Sequence, residues 1–193
     1  MYFNKYLTLP NQLSVLRILL SPLFLWFFLQ ENNTLKLIGL IIYLIASITD
    51  WYDGWHARKF QVITKTGIFL DPLADKILTS CAFLSFYLLN IMPFWMMVII
   101  VIRDIIITFL RSYKEHKGAI LSTSYLAKVK TTVQMFYIFL ILILIFLKTM
   151  GVMVEFINWF LFSELNFIIM LIVTLLTLFT GIQYFFEKNS NQN

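Results

Sequence analysis

The residues able to do chemistry in this chain are mostly its aspartates. There are five, Asp50, Asp53, Asp71, Asp75 and Asp104, and all fall in or against strongly apolar stretches, whereas the glutamates lie at connections and at the tail. An ionised carboxylate inside a membrane helix costs about 2.5 kcal/mol or more, so four of them around one connection need cations or water in a cavity. Their spacing says which. On a helix advancing about 100° per residue, Asp50, Asp53, Gly54, Ala57 and Arg58 share an arc of roughly 140°. Gly67, Asp71 and Asp75 share about 80° on the next helix. Two carboxylates from each of two antiparallel neighbours thus converge, and at close range they would repel one another and retain protons. Divalent cations remove that penalty, and an all-oxygen ligand set suits magnesium or manganese better than zinc. Gly54, Ala57 and Gly67 clear side-chain bulk where a ligand would approach backbone. Arg58 offers a planar fork for a pair of phosphate oxygens. Metals, an arginine and cleared backbone describe a site for a diphosphate.

The elements that must position these residues follow from composition. Of 193 residues, 60% are apolar and 13% charged, against about half and a quarter in an ordinary soluble domain, which excludes most soluble folds. The single Cys81 forms no internal disulfide, and the composition excludes disorder and a disulfide-stapled scaffold. Stretches free of charge run 18–30, 37–49, 77–102, 131–147 and 165–186, and the third must turn at Asn90-Ile91-Met92-Pro93. The expected architecture is all-α, a single integral membrane domain over 1–193. It has six transmembrane helices near 11–30, 35–59, 67–90, 94–116, 123–148 and 164–186, with a short interfacial helix at about 1–10. The first span lacks a small-residue cleavage site and is not read as a signal peptide. Residues 150–163 read as an interfacial or re-entrant connection. Basic residues crowd the second connection (Arg58, Lys59, Lys65) and the region of the fourth (Arg111, Lys114, Lys117, Lys128, Lys130), which places the even connections, both chain ends and the acidic site at the cytoplasmic face. The net charge of +5 then reports orientation and substrate charge, with no nucleic-acid partner implied.

Asp50-Trp51-Tyr52-Asp53-Gly54-Trp55-His56-Ala57-Arg58, then eight residues, then Gly67-Ile68-Phe69-Leu70-Asp71-Pro72-Leu73-Ala74-Asp75, resembles the signature D-x2-D-G-x2-A-R-x8-G-x3-D-x3-D of the CDP-alcohol phosphatidyltransferases. That family has six transmembrane helices with the motif on the second and third. A narrower likeness, carried by Leu9-Pro10-Asn11-Gln12-Leu13-Ser14-Val15-Leu16-Arg17, Asp71 to Lys76, Arg103-Asp104 with Arg111, and Lys128-Val129-Lys130-Thr131-Thr132, is to the bacterial phosphatidylglycerophosphate synthases. Asp104 stands where that subfamily usually has Glu, Ala127 where Gly is common and Gln61 where Asn is usual. The resemblance implies transfer from CDP-diacylglycerol to glycerol 3-phosphate with release of CMP, in the bacterial cytoplasmic membrane. It implies two metal ions on Asp50, Asp53, Asp71 and Asp75, with Asp75 as general base. Gly54, Ala57 and Arg58, with Gly67, Thr49 and Thr64, would contact the cytidine diphosphate moiety. A homodimer is implied by the family alone.

The acceptor's phosphate needs its own cations. Arg103 and Arg111, eight apart, lie within about 80° on one helix, and Lys128 and Lys130 begin the next. Lysines at i and i+2 point about 200° apart, so one of the two at most enters a cavity deeply. The plainer readings are ion bridges from the aspartates to Arg58, Lys59 and Lys76, a structural Arg103–Asp104 pair, and a solvated loop for Lys114 and Lys117. His56 falls off the acidic face, and Cys81 has no base near it in sequence. The competing functions are the same chemistry on inositol phosphate, phosphatidylglycerol or serine, a small cation transporter, or a non-catalytic scaffold. A transporter would spread its acids through the membrane depth, whereas these cluster at one end.

Overall fold

The computed structural model describes residues 9–60, 67–116 and 125–190. The elements are α1 (Leu9–Phe28), α2 (Asn33–Phe60), α3 (Gly67–Leu88), α4 (Phe94–His116), α5 (Tyr125–Thr149), α6 (Val154–Leu161) and α7 (Glu164–Ser190). Among the described residues there is no strand, so the all-α expectation holds. The interfacial helix expected over about 1–10 and the first residues of the span expected at 123 lie largely outside the described residues. The connection expected over 150–163 contains a helix, α6, of 8 residues.

Among the described residues four segments are long and apolar enough to cross a membrane: Pro10–Phe28, Asn33–Asp50, Tyr125–Thr149 and Glu164–Tyr184. α3 and α4 have the length, at 22 and 23 residues, but α3 carries Asp71, Asp75 and Lys76 and α4 carries Arg103, Asp104 and Arg111. Four of these six charges, Asp71, Asp75, Arg103 and Arg111, are candidate site residues.

The chain forms two compact units. The first comprises residues 1–85 and 108–121. Its frame is the α1–α2 hairpin. Asn32 caps α2 by accepting from the backbone N–H groups of Thr34 (2.8 Å) and Leu35 (3.4 Å). Gly39 lets the two helices meet, because a Cβ there would stand 2.7 Å from the backbone nitrogen of Phe28. Phe24, Phe28, Leu40, Tyr43 and Ala46 fill the seam, with the rings of Phe24 and Tyr43 5.0 Å apart. Leu19, Leu23, Trp26, Ile41 and Ile48 are exposed on its outer faces, where a bilayer supplies the apolar partner.

The second unit comprises residues 86–107 and 122–193. The break expected at Asn90–Pro93 is a helix end with Asn90 left-handed (φ 58°), closed by Asn90 N–H to Tyr87 O and Ile91 N–H to Phe86 O, both 2.9 Å. Pro93 then starts the chain toward α4. α5 ends the same way, with Gly151 at φ 77° and Val152 N–H donating to Leu147 O at 2.9 Å. The core holds Met96, Ile100, Tyr137, Ile138, Ile141 and Ile157. Tyr137 donates its hydroxyl to Asn166 Oδ1 (3.1 Å), and Asn166 Nδ2 donates to Leu161 O (2.8 Å), which ties α5 to the α6–α7 corner.

Candidate active site

In the first unit the backbone is helical without interruption across Asp50, Asp53, Gly54, Ala57 and Arg58, so the spacing read from sequence lies on one helix, α2. The side chains of Asp53, Ala57 and Arg58, and the surroundings of Gly54, lie outside the described set, as does Thr64 altogether. Gly67 is the first residue of α3, and Asp71 and Asp75 follow one and two turns later. Pro72, inside the helix between the two aspartates, has no N–H to close onto the carbonyl four residues earlier.

The residue that joins the two acidic helices is Arg17 of α1. It is completely buried, and its Nη1 lies 2.5 Å from Asp50 Oδ1 and 3.5 Å from Asp71 Oδ1. The two carboxylate side chains remain 40% and 48% exposed. A cation thus stands behind the acids while their other sides stay open. Arg17 belongs to a buried polar stripe on α1 with Asn11, Ser14 and Ser21, and Ser21 donates to the Arg17 carbonyl at 2.7 Å. Asp75 Oδ2 pairs with Lys76 Nζ at 3.0 Å. Thr49 turns its hydroxyl onto its own helix, to Ala46 O at 2.7 Å.

Among the described residues no three histidine, cysteine or acidic side chains are gathered closely enough to hold a metal, and Asp53, the fourth acid of the expected set, is not among the described side chains. The donor set still fits a hard cation. It is all oxygen, it comes from two helices, and it already pairs with one protein cation.

The second unit holds a cluster of opposite sign. Asp104 of α4, 3% exposed, accepts from Lys130 Nζ of α5, from Gln134 Nε2 (3.0 Å) and from Arg103 Nη1 (3.1 Å). Arg103 Nη2 also donates to Thr180 Oγ1 of α7 at 2.8 Å. Gly181 makes room for the arginine, since a Cβ there would lie 3.0 Å from Arg103 Cγ. Gln134 is buried, and its Oε1 has no donor within reach among the described residues. Of the four cations expected to serve one phosphate, Arg103 and Lys130 meet on Asp104, and Lys128 is exposed. Arg111 is half-buried and belongs to the first unit.

Residues 7–180 match the family model for CDP-alcohol phosphatidyltransferases. The chain belongs to that family. As a CDP-alcohol phosphatidyltransferase it resembles proteins named CDP-diacylglycerol--glycerol-3-phosphate 3-phosphatidyltransferase in several bacteria. That of Bacillus subtilis is 37% identical over 138 residues, 65% of this chain and 72% of the relative. That of Rickettsia felis is 31% identical over 183 residues, 92% of this chain and 93% of the relative. That of Wigglesworthia glossinidia brevipalpis is 36% identical over 141 residues, covering 70% and 77%.

Two polar residues of this phosphatidyltransferase's clusters, Arg17 and Gln134, fall outside the expected site residues. Gln134 gave no signal, because one amide in an apolar helix has no spacing partner. Arg17 did give one: an arginine at the start of an otherwise apolar span is costly in lipid and asks for a counter-ion.

Proposed function

We propose that this chain is the enzyme that transfers the phosphatidyl group of CDP-diacylglycerol to glycerol 3-phosphate, giving phosphatidylglycerophosphate and CMP. The observation that carries this reading is the end-to-end similarity to the Rickettsia felis protein of that name, over 92% of the chain. The acidic pair of helices and the basic cluster around Asp104 support it, one suited to a metal-bound diphosphate and the other to an acceptor phosphate.

In this reading the chain crosses the bacterial cytoplasmic membrane six times, with α3 and α4 as charged spans, an interfacial segment at the N-terminus and the acidic site toward the cytoplasm. Basic residues around the second and fourth connections support that orientation. Asp50, Asp53, Asp71 and Asp75 hold magnesium or manganese, two ions, which when bound neutralise the diphosphate and the departing CMP. Gly54, Ala57, Gly67 and Arg58 receive the cytidine diphosphate group, with Thr49 and Thr64 beside it. Arg103 and Lys130 hold the acceptor's phosphate, with Arg111 and Lys128 contributing charge, and Gln134 Oε1 takes a hydroxyl of the acceptor. Asp75 accepts the proton of the attacking hydroxyl. The acceptor oxygen bonds to the phosphorus that carries diacylglycerol, the bond from that phosphorus to the CMP oxygen breaks, and CMP leaves with the electron pair. The family resemblance also favours a homodimer.

The test is CMP release from detergent-solubilised protein given CDP-diacylglycerol and a panel of acceptors. Glycerol 3-phosphate supports turnover, chelator stops it, and Asp71→Asn or Asp75→Asn lowers it by about 10²-fold or more. Release with serine or inositol phosphate but not glycerol 3-phosphate refutes the acceptor, and substantial turnover in either aspartate variant refutes the metal and base assignment.

A further inference from the structure

The proposed metal ligands account for the acids of α2 and α3 and leave Arg17 unexplained. A fully buried guanidinium is costly unless it is compensated, and here the compensation comes from two carboxylates on two different helices. The placement is asymmetric. Arg17 has no exposure, whereas Asp50 and Asp71 keep 40% and 48% of their side-chain surface open. Its backbone is fixed as well as its head group, since Ser21 is bonded to its carbonyl and the α1–α2 seam is tight at Gly39. The guanidinium therefore stays on the protein side of the acids, and a second cation can approach them from the open side without evicting it.

We propose that Arg17 is a resident counter-cation of the acidic site. It holds Asp50 of α2 and Asp71 of α3 in one place when no divalent ion is bound, and its charge weakens the ion that binds. This rests on the metal reading given above. Two acids of neighbouring helices, left alone, repel and push their helices apart. A fixed unit positive charge behind them offsets that repulsion in the empty state. When a divalent ion binds on the open side, the same charge opposes it across a few ångströms. Arg17 thus trades metal affinity for an empty site that stays assembled. It is a positioning residue, since it acts through Asp50 and Asp71.

The experiment uses full-length protein in detergent, purified with manganese and then stripped by chelator. Binding of Mn²⁺ is followed by loss of the free-ion signal in electron paramagnetic resonance, and unfolding temperature is measured with and without Mn²⁺. Arg17→Met removes the charge and keeps the bulk. It is expected to unfold at a lower temperature than wild type in chelator, to bind Mn²⁺ roughly five-fold more tightly, the scale of one unit charge acting on a divalent ion in a wet site, and so to gain more from Mn²⁺ than wild type does. Arg17→Gln removes the same charge while keeping hydrogen bonds to the carboxylates, and it gives the same tightening should the Met variant not accumulate. Unchanged or weaker Mn²⁺ binding in both, with equal thermal loss in chelator and in Mn²⁺, overturns the proposal and leaves Arg17 a packing residue. Failure of the wild type to bind Mn²⁺ overturns the metal reading and this inference with it, and Asp71→Asn serves as the non-binding control.

Discussion

Asp104 and Lys130 are 3% and 2% exposed, so neither charge can be solvated if its partner is removed. Breaking a buried pair by deleting one member costs about 3–5 kcal/mol. The two deletions are not equivalent. In Asp104→Asn the Lys130 ammonium and the Arg103 guanidinium both lose their shared counter-ion, which points to the upper end of that range. In Lys130→Met the carboxylate keeps Arg103 at 3.1 Å and the Gln134 amide at 3.0 Å, which points to the lower end. At about 2–4 °C per kcal/mol for a chain of this size, the first variant loses on the order of 10 °C or more in unfolding temperature and the second somewhat less.

The double variant, Asp104→Asn with Lys130→Met, removes both members of that pair, and Arg103, 15% exposed, keeps Thr180 at 2.8 Å as an acceptor. Its stability is expected to return to within about 2 kcal/mol of wild type, because replacing a buried ion pair by groups of similar volume is often neutral. If Lys130 binds the acceptor phosphate as proposed, turnover does not return with it: KM for glycerol 3-phosphate stays raised in both variants that lack Lys130. Lys128→Met, on the exposed neighbour, is the internal control and leaves unfolding temperature within about 2 °C. The assay is thermal unfolding in detergent alongside CMP release at varied glycerol 3-phosphate. Thermal losses that simply add in the double variant would refute the pairing, and a double variant with wild-type KM would refute the role of Lys130.

Two glycines give sharper tests of packing. Gly39→Ala gains about 1 kcal/mol of helix propensity but sets a methyl 2.7 Å from the Phe28 backbone nitrogen, which cannot rotate away. Overpacking of this kind costs about 1–3 kcal/mol, so the variant is expected to unfold a few degrees below wild type; a higher unfolding temperature would contradict the close approach of α1 and α2. Gly181→Ala meets Arg103 side-chain atoms at 3.0 and 3.2 Å, which can yield, so stability should barely change while KM for glycerol 3-phosphate rises roughly three- to tenfold. An unchanged KM would mean that Arg103 does not touch the acceptor.

What the sequence disclosed and what it withheld divide along a physical line. The helix ends were legible wherever a local rule set them. Asn90 followed by Pro93 predicts a break, and the structure closes α3 there with a left-handed Asn90. The acids of α2 and α3 were legible because helical periodicity alone puts them on faces. The partners of Arg17 were not, because they lie 33 and 54 residues away, and the seam of α1 against α2 brings it to Asp50. The choice between Lys128 and Lys130 was open in the same way: the i and i+2 geometry says that they diverge, and burial on Asp104 selects Lys130. α6 was missed because 8 residues carry too little periodicity, and its start at Met153, with φ 49°, obeys no side-chain cap. For Thr49, proximity to the motif did not foretell that its hydroxyl donates to Ala46 O of its own helix.

The two polar clusters meet one requirement with reversed signs. A charged group inside a membrane protein has to be compensated whether or not a substrate is present, because the ligand-free state must fold too. In the first unit the deepest member is a cation, and the acids around it face outward and stay open, so a further cation adds to the cluster without dismantling it. In the second unit the shared member is an acid, Asp104, and the cations paired with it are buried too, Lys130 as fully as the acid itself and Arg103 nearly so. If the cluster receives the acceptor phosphate as proposed, that phosphate must draw Lys130 and Arg103 partly away from Asp104. The charge of the acceptor therefore does more than supply affinity. In the proposed reading a neutral alcohol of the same size offers nothing to offset the separation of Lys130 from Asp104, so the pairing that stabilises the empty cluster would also discriminate against acceptors that lack a phosphate.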